Sequence, residues 1–233
     1  MTDLKLSIKK KLFRVHDGES LIKDAAYAHA RPQILEKDEF TCRCCGFQSK
    51  PDKEAKSVTS LAYSGYLEVH HVDDDHGNNE MTNLMTVCPY CHQVFHFGFA
   101  GYRNAGFLVD LPEIDQATLN LMMHAVGISI HRRDEYSKTA LSFYNDVLKK
   151  LKYRLEDRLG EGASDPAALS QALSVSGTKA YQNMDELLSG IRLVPNVDTL
   201  DTPFAKHIEY WSANSMMESE QWNNIFENFL KKK

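Results

Sequence analysis

The chain has 233 residues, of which 42% are hydrophobic and 25% are charged, so it can bury the core of one large domain or two small ones. Its formal net charge of −5 argues against a dedicated nucleic-acid coat but leaves room for a local basic face. No apolar run is long enough to cross a bilayer, and the N-terminus lacks the apolar core of a signal peptide. We therefore expect a cytoplasmic protein without direct membrane insertion.

The first half of the chain predicts a strand, a helix and a region rich in metal ligands. Residues 4–16, LKLSIKKKLFRVH, alternate apolar and polar side chains, which is typical of a strand or hairpin. Residues 19–40 predict a helix that is interrupted near Pro32. Cysteines and histidines follow from about residue 37 to residue 103, and GFLVDLP then predicts a short strand closed by Pro112.

The second half of the chain predicts mainly helices. Asp115 is placed to cap a helix over residues 116–133. Apolar side chains spaced by three and four predict a buried helix face within residues 136–159, and Gly160 ends that helix. Asp165, with a proline directly after it, begins another helix. Two more helices are predicted, one before and one after the segment LVPNVDTLDTP.

All five cysteines lie between residues 42 and 91, and four of them form two CxxC pairs, Cys42 with Cys45 and Cys88 with Cys91. Thiolates two residues apart can face one ion from a tight turn, and four of them suit structural Zn²⁺ in a closed tetrahedral shell. Cysteines buried as plain hydrophobes would leave the paired spacing as coincidence. An iron–sulfur cluster is an alternative that does not need paired turns. The sequence thus predicts a structural zinc site and leaves Cys44 as a spare thiol.

Histidines surround the second cysteine pair. His70 and His71 lie on a predicted strand, so their side chains face opposite ways. Asn83 follows, and His92 and His96 are four residues apart, which places them on one face of a helix, where they can bind one ion together. Taken singly, each residue also fits a structural role in a packed helix face or a turn. Their combination favours a second metal site.

This order of residues resembles the HNH, or ββα-metal, nuclease family, in which two cysteine turns bracket a hairpin and a short helix. The resemblance implies that His70, His92 and His96 hold a divalent ion, which would be Mg²⁺, Mn²⁺, Ni²⁺ or Zn²⁺. It implies that His71 is the general base for the attacking water and that Asn83 orients His71 by a hydrogen bond. The activity it implies is a metal-dependent endonuclease that cleaves or nicks DNA.

A longer stretch of the chain resembles the IcmJ/DotN family of type IVB secretion and conjugation systems. The segments that carry this resemblance are LKLSIKKKLFRV, TCRCCGFQ, LVDLPEIDQATLN and GEGASDPA, in order, between Leu4 and about Pro195. The resemblance implies a zinc-containing scaffold that binds the C-terminal region of the coupling ATPase, together with adaptor proteins, and supports substrate recruitment. It implies a cytoplasmic location, peripheral to the inner membrane through the coupling complex.

The scaffold and the endonuclease that these resemblances predict differ in the charge and the side chains that they require around the histidines. Between Lys56 and Arg103 there is no lysine or arginine, and the acidic residues there are Glu68, Asp73, Asp74, Asp75 and Glu80. Affinity for DNA rises with the number of phosphates that Lys and Arg neutralise, so this region is unfavourable for DNA. The complete histidine set, however, is not needed by a pure scaffold. The sequence leaves scaffold and endonuclease open, with the scaffold first.

These elements predict an α+β fold in two parts. Residues 1–112 form an HNH-like ββα zinc module with an N-terminal strand and helix, and residues 113–233 form a mainly α-helical part. The C-terminal helix is predicted to be amphipathic, either as a core helix or as a tail that docks on a partner. Its apolar positions are Phe204, Ile208, Trp211, Trp222, Phe226 and Phe229.

Overall fold

The computed structural model describes residues 4–8, 18–175, 183–198, 201–215 and 217. It confirms the α+β class: helices enclose two separate antiparallel pairs of strands. The helices are α1 Gly18–Lys37, α2 Pro89–His92, α3 Phe97–Tyr102, α4 Gln116–Arg132, α5 Ser137–Ser142, α6 Leu151–Leu159, α7 Pro166–Val175, α8 Met184–Leu187 and α9 Ala205–Asn214. A 3-10 turn Gln93–His96 follows α2, and a π-helical segment Phe143–Leu148 follows α5. The strands are β1 Glu68–His71, β2 Leu84–Val87, β3 Gly106–Asp110 and β4 Ile191–Pro195.

The hairpin of β1 and β2 sits between the two cysteine pairs in sequence and brings them together in space. In its register His70 lies opposite Met85 and Glu68 lies opposite Val87. All of β2 is buried, because both faces are covered, and its last residue leads directly into Cys88. Helix α2, which begins directly after Cys88, therefore has a fixed position relative to β1.

Strands β3 and β4 pair across a long stretch of sequence, with Leu108 opposite Leu193 at the centre of the register. The predicted strand GFLVDLP is thus confirmed, but the segment beginning with Leu193 was expected to separate two helices and in fact continues a strand. Both central leucines are fully buried. One hydrophobic core contains residues from either side of the predicted division after residue 112, and that division stays a prediction.

The end of the described chain packs back onto the region between the cysteine pairs. Trp211 on α9 is fully buried and donates a hydrogen bond from Nε1 to the carbonyl of Gly65 at 3.0 Å. Tyr210 donates from its hydroxyl to the carbonyl of Lys50 at 2.9 Å. The predicted apolar positions Phe204, Ile208 and Trp211 are therefore core residues, whereas Trp222, Phe226 and Phe229 lie outside the described residues.

The predicted helix boundaries are confirmed at their capping residues. The Asp115 carboxylate accepts from the amide of Thr118 at 2.8 Å at the start of α4, and Asp165 accepts from the amide of Ala167 at 2.8 Å at the start of α7. Gly160 ends α6 with a positive φ of 103°, which a residue with a side chain rarely adopts.

The structure contradicts one expectation at the N-terminus and describes only part of the segment to which another applies. The interruption predicted near Pro32 is wrong, because α1 continues through it to Lys37. A proline inside a helix removes one hydrogen bond to the carbonyl four residues earlier, and Ala28, which carries that carbonyl, is exposed to water. Residues 4–8 form no strand, although Leu4 and Leu6 are buried and Lys5 between them is exposed. This segment contacts the 3-10 turn through the Ser7 amide, which donates to the Val94 carbonyl at 3.1 Å. The rest of the predicted strand or hairpin, residues 9–16, lies outside the described residues.

Candidate metal centre

The four cysteines of the CxxC pairs converge on one point in the core. Cys42, Cys45, Cys88 and Cys91 are all buried, and their Sγ atoms all lie within 4.8 Å of one another. The Sγ atoms of Cys45 and Cys88, one from each pair, are 3.8 Å apart. Sulfur atoms at these separations can close around a single ion of the size and softness of zinc. The described residues therefore form a group that can hold a metal ion such as zinc.

Each cysteine pair owes its geometry to a tight turn. In the first, the Gly46 amide donates to the Cys42 carbonyl at 2.9 Å, and Gly46 has a positive φ of 78°, which favours glycine. In the second, the Cys88 sulfur caps α2 by accepting from the Cys91 amide at 3.4 Å, and Pro89 takes the first helical position. The local backbone conformation therefore directs the two thiols of each pair toward the same point in the core.

The thiols differ in their surroundings. Burial raises the pKa of Cys88 and of Cys91, because an apolar interior disfavours the charged thiolate. Hydrogen bonding with Cys42 is the main cause that raises the pKa of Cys44. Cys44 is fully buried and lies outside the group of four. A divalent ion is the kind of charge that would stabilise four buried thiolates together.

Helix α4 contributes a polar contact to the cysteine group that the sequence did not predict. Asn120 is fully buried and donates from Nδ2 to the Tyr90 carbonyl at 3.1 Å and to the Cys91 sulfur at 3.3 Å. Its own amide oxygen accepts from Nε2 of Gln116 at 2.9 Å. The available signal was a polar pair, Gln116 and Asn120, four residues apart on a helix that is otherwise largely apolar.

Three histidines form a separate group beside the cysteines. One ring nitrogen from each of His70, His92 and His96 lies within 4.8 Å of the others. His70 comes from β1 and stacks on Phe95 with ring centroids 4.2 Å apart. Burial, and then the neighbouring histidines, lower the pKa of His70 to about 3, which keeps its imidazole neutral. Neutral imidazoles are the form that binds metal ions, so the group can hold a divalent ion.

Two of these histidines, His92 and His96, each have a carboxylate close to a ring nitrogen. Nδ1 of His92 donates to Oε2 of Glu68 at 2.5 Å, which leaves Nε2 of the same ring available to a ligand. Oδ1 of Asp74 lies 3.9 Å from Nε2 of His96. Glu68 was counted in the sequence only as an unfavourable charge for DNA, and its contact could have been suspected from its position two residues before His70.

The predicted partner of His71 is wrong. Nε2 of His71 is hydrogen-bonded to Oδ1 of Asn79 at 2.9 Å, and its ring lies 5.3 Å from that of Tyr27. The Asn83 side chain instead donates to Oδ1 of Asp73 at 2.9 Å and to the Asn78 carbonyl at 2.8 Å. These two contacts use the amide protons of Asn83. Asn83 therefore joins two parts of the acidic loop between β1 and β2.

A cavity of about 250 Å³ lies next to the histidine group. It is bordered by His70, His71 and His92 on one side and by Asp24 and Tyr27 of α1 on the other. The Tyr27 hydroxyl donates to the Val69 carbonyl at 2.8 Å, which fixes the tyrosine ring over the hairpin. The site can therefore admit a small molecule, while α1 lies across one side of it.

The fold and these sites together define an α+β protein with a buried cysteine group that can hold a metal ion such as zinc. Within the described residues, no helix combines the length and apolar character needed to span a membrane.

Sequence comparison identifies the family of the chain. It is 30% identical over 222 residues to the type 4 apparatus protein DotN of Legionella pneumophila, and the match spans 93% of this chain and 92% of that relative. The chain belongs to the IcmJ/DotN family. No protein-family model matches it.

Proposed function

We propose that this protein is a zinc-containing subunit of a type IV secretion or conjugation coupling complex, where it acts as a protein-binding scaffold for substrate recruitment. The observation that carries the proposal is the match to DotN, a type 4 apparatus protein, over nearly the whole of both chains. Conservation of that extent supports a shared overall fold rather than one shared motif. The partners would be the C-terminal region of the coupling ATPase and its adaptor proteins.

In this proposal the cysteine group has a structural role. Cys42, Cys45, Cys88 and Cys91 would hold zinc in a closed shell, with no position left for a substrate. The burial of all four supports this role, since a catalytic ion needs access to solvent. The zinc would fasten the turn after α1, which carries Cys42 and Cys45, to the start of α2 at the end of the hairpin β1–β2, and so stabilise the surfaces on which partners dock.

Co-purification tests the scaffold directly. The full-length protein is co-expressed with a tagged C-terminal region of a coupling ATPase, and the metal content of the complex is measured by mass spectrometry. We expect a stable complex with zinc bound by the cysteine group. A Cys88→Ser variant should lose both zinc and the partner, whereas a Cys44→Ser variant should keep both. Failure of the wild-type protein to bind any coupling ATPase would contradict the proposal.

A second candidate function, a metal-dependent HNH endonuclease, is favoured by the histidine group. His70, His92 and His96 would hold the divalent ion, whose charge would stabilise the phosphate during cleavage. His71 borders the same cavity, where it would take a proton from the attacking water. Against this function stand the acidic loop and the Tyr27 ring beside His71. We therefore place the endonuclease second.

A plasmid-nicking assay separates the two candidates. Supercoiled DNA is incubated with the wild-type protein and Mg²⁺, Mn²⁺, Ni²⁺ or Zn²⁺, next to His71→Ala and a control, His131→Ala, which changes an exposed histidine on α4. If the protein is a nuclease, nicking should disappear in His71→Ala and persist in the control. Absence of nicking with every ion would leave the scaffold as the function of this chain.

A further inference from the structure

Another cavity, of about 360 Å³, lies away from the cysteines and histidines, where β3, the π-helical segment and the start of α7 meet. Its volume is within the range of ligand pockets in proteins. The rings of Phe107 and Tyr144 line it, with centroids 6.0 Å apart, and so do two lysines, Lys149 and Lys152. Neither proposed function makes use of this cavity.

The two lysines place positive charge directly over the two rings. Nζ of Lys149 lies 4.7 Å from the centroid of Tyr144, and Nζ of Lys152 lies 5.2 Å from the centroid of Phe107. Both side chains are half-buried. Within the part of the chain that the structure describes, neither ammonium forms an ion pair with a carboxylate. Two unpaired ammonium groups beside one cavity favour an anionic ligand.

Carboxylates also line the cavity, and two of them accept hydrogen bonds within the protein. Asp165 caps α7, as described above, and Oδ2 of Asp201 accepts from Nδ2 of Asn104 at 2.9 Å. Asp198 lines the same cavity. A fully anionic ligand such as phosphate would be attracted by the lysines and repelled by these carboxylates. A matching ligand needs a negative group for the lysines and hydrogen-bond donors for the carboxylates.

The π-helical segment and the residue after it fix Tyr144 and Lys149, two of the residues that line the cavity. Its wide turn is closed by the Lys149 amide, which donates to the Tyr144 carbonyl at 3.1 Å, five residues earlier. The Tyr144 hydroxyl donates to Oδ1 of Asn196 at 3.2 Å, in the buried interior. The positions of the Tyr144 ring and of the Lys149 backbone are thus set by the protein itself, as in a preformed site.

We propose that this cavity binds an aspartate or glutamate side chain on a peptide segment of a partner protein. The carboxylate would lie between Lys149 and Lys152, and the backbone amides of the segment would donate to Asp198 and Asp201. An acidic residue in a peptide is the ligand that offers both groups within a few ångströms. This inference rests on the proposed scaffold function, for which it names one recognition pocket and the chemistry of the partner.

Fluorescence anisotropy tests the pocket with the zinc-loaded full-length protein and a labelled peptide of alternating glutamate and glycine. The double variant Lys149→Gln/Lys152→Gln is compared with Lys150→Gln, an exposed lysine on the same stretch. We expect the double variant to bind at least about tenfold more weakly and Lys150→Gln to stay within about twofold of wild type. A matching peptide of glutamine and glycine should not bind, and thermal melts should show that all variants fold.

Three results would overturn the pocket: no binding of the glutamate peptide by the wild type, equal losses in the double variant and in Lys150→Gln, or displacement of the peptide by millimolar inorganic phosphate, which would assign the cavity to phosphate ligands. The scaffold is judged separately, by co-purification of the wild-type protein with the coupling ATPase. The pocket can therefore fail while the scaffold holds, and the scaffold can fail while the peptide result stands.

Discussion

Asn120 donates a hydrogen bond from Nδ2 to the Sγ of Cys91 over 3.3 Å, and so ties α4 to the cysteine group. Hydrogen bonds to a ligand sulfur orient the ligand and tune its charge. Because Asn120 also supports the Tyr90 carbonyl, it holds both the ligand and the turn that carries it. The metal-binding region and the long helix after it therefore depend on each other.

Replacement of Asn120 by alanine is expected to weaken both metal binding and folding. The change removes the hydrogen bond to the Tyr90 carbonyl and one of the two acceptors of Gln116 Nε2, which keeps the Leu193 carbonyl. The two lost hydrogen bonds cost about 1–3 kcal/mol in the free energy of unfolding. Zinc affinity should fall by roughly 10–100-fold. Urea unfolding and competition with a zinc chelator measure the two effects. Asn145→Ala, at an exposed position, is the control, and equal effects in both variants would contradict this role.

Removal of the metal is expected to destabilise the fold around the hairpin. A bound ion stabilises the folded chain by about 4 kcal/mol when it is present at a thousand times its Kd, and a chelator removes that contribution. Cys88→Ser should therefore unfold at lower urea concentration than wild type, with no further response to chelator. Cys44→Ser should keep its chelator response, since Cys44 lies outside the group of four. A lost response in Cys44→Ser would make Cys44 a ligand.

His124 makes the stability of the protein depend on pH. It is fully buried on α4, stacks on Phe47 at 3.6 Å and on Tyr90 at 4.3 Å, and neither ring nitrogen has a hydrogen-bond partner among the described residues. Burial lowers its pKa from 6.5 to about 3, against a raising effect of Cys42 and together with a smaller lowering effect of His207. The folded protein therefore contains His124 in its neutral form.

The sign of this dependence follows from the lowered pKa. The contribution of His124 is complete above the unfolded-state pKa of 6.5 and is lost as the pH falls toward 3, by about 1.4 kcal/mol for each pH unit. In His124→Phe this loss should disappear. Urea unfolding of zinc-loaded protein between pH 5 and pH 7 measures it, with His131→Ala as the exposed control. Identical slopes for wild type and His124→Phe would contradict the assignment.

Gly101 is expected to tolerate no side chain, because α3 and α7 approach each other closely there. A Cβ at this position would lie 2.4 Å from the backbone nitrogen of Ala167, which cannot rotate away. Gly101→Ala should lower the free energy of unfolding by about 1–3 kcal/mol through overpacking. Thermal unfolding measures the change. An unchanged midpoint would mean that the two helices can separate at little cost.

The parts of the fold that the sequence predicted correctly depend on neighbouring residues. Asp115, Asp165 and Gly160 mark helix ends, because capping involves amides within one turn of the capping residue. The cysteine group was predictable for the same reason: each CxxC turn is local, and two such turns imply a common ion. Helical spacing alone indicated that His92 and His96 lie together, whereas the resemblance to the HNH family implied that His70 would join them.

The parts that were missed depend on distant residues. Strand β4 is defined by its pairing with β3, and no local signal marks that partner. The bond from Asn79 to His71 was assigned to Asn83, because the sequence cannot tell which asparagine of a polar loop faces the histidine. The contact of Asn120 with Cys91 joins residues that only the packing of α4 brings together.

The pairing of Leu108 with Leu193 also sets an order of events during synthesis. The hairpin and both cysteine pairs have left the ribosome while β4 is still untranslated, so the four thiols can meet before that strand exists. Strand β3 must wait, with the apolar side chains of Leu108 and Val109 uncovered, until Ile191–Pro195 emerges. A chain that stopped before Ile191 would keep this strand edge permanently open, and edges of that kind are where proteins aggregate.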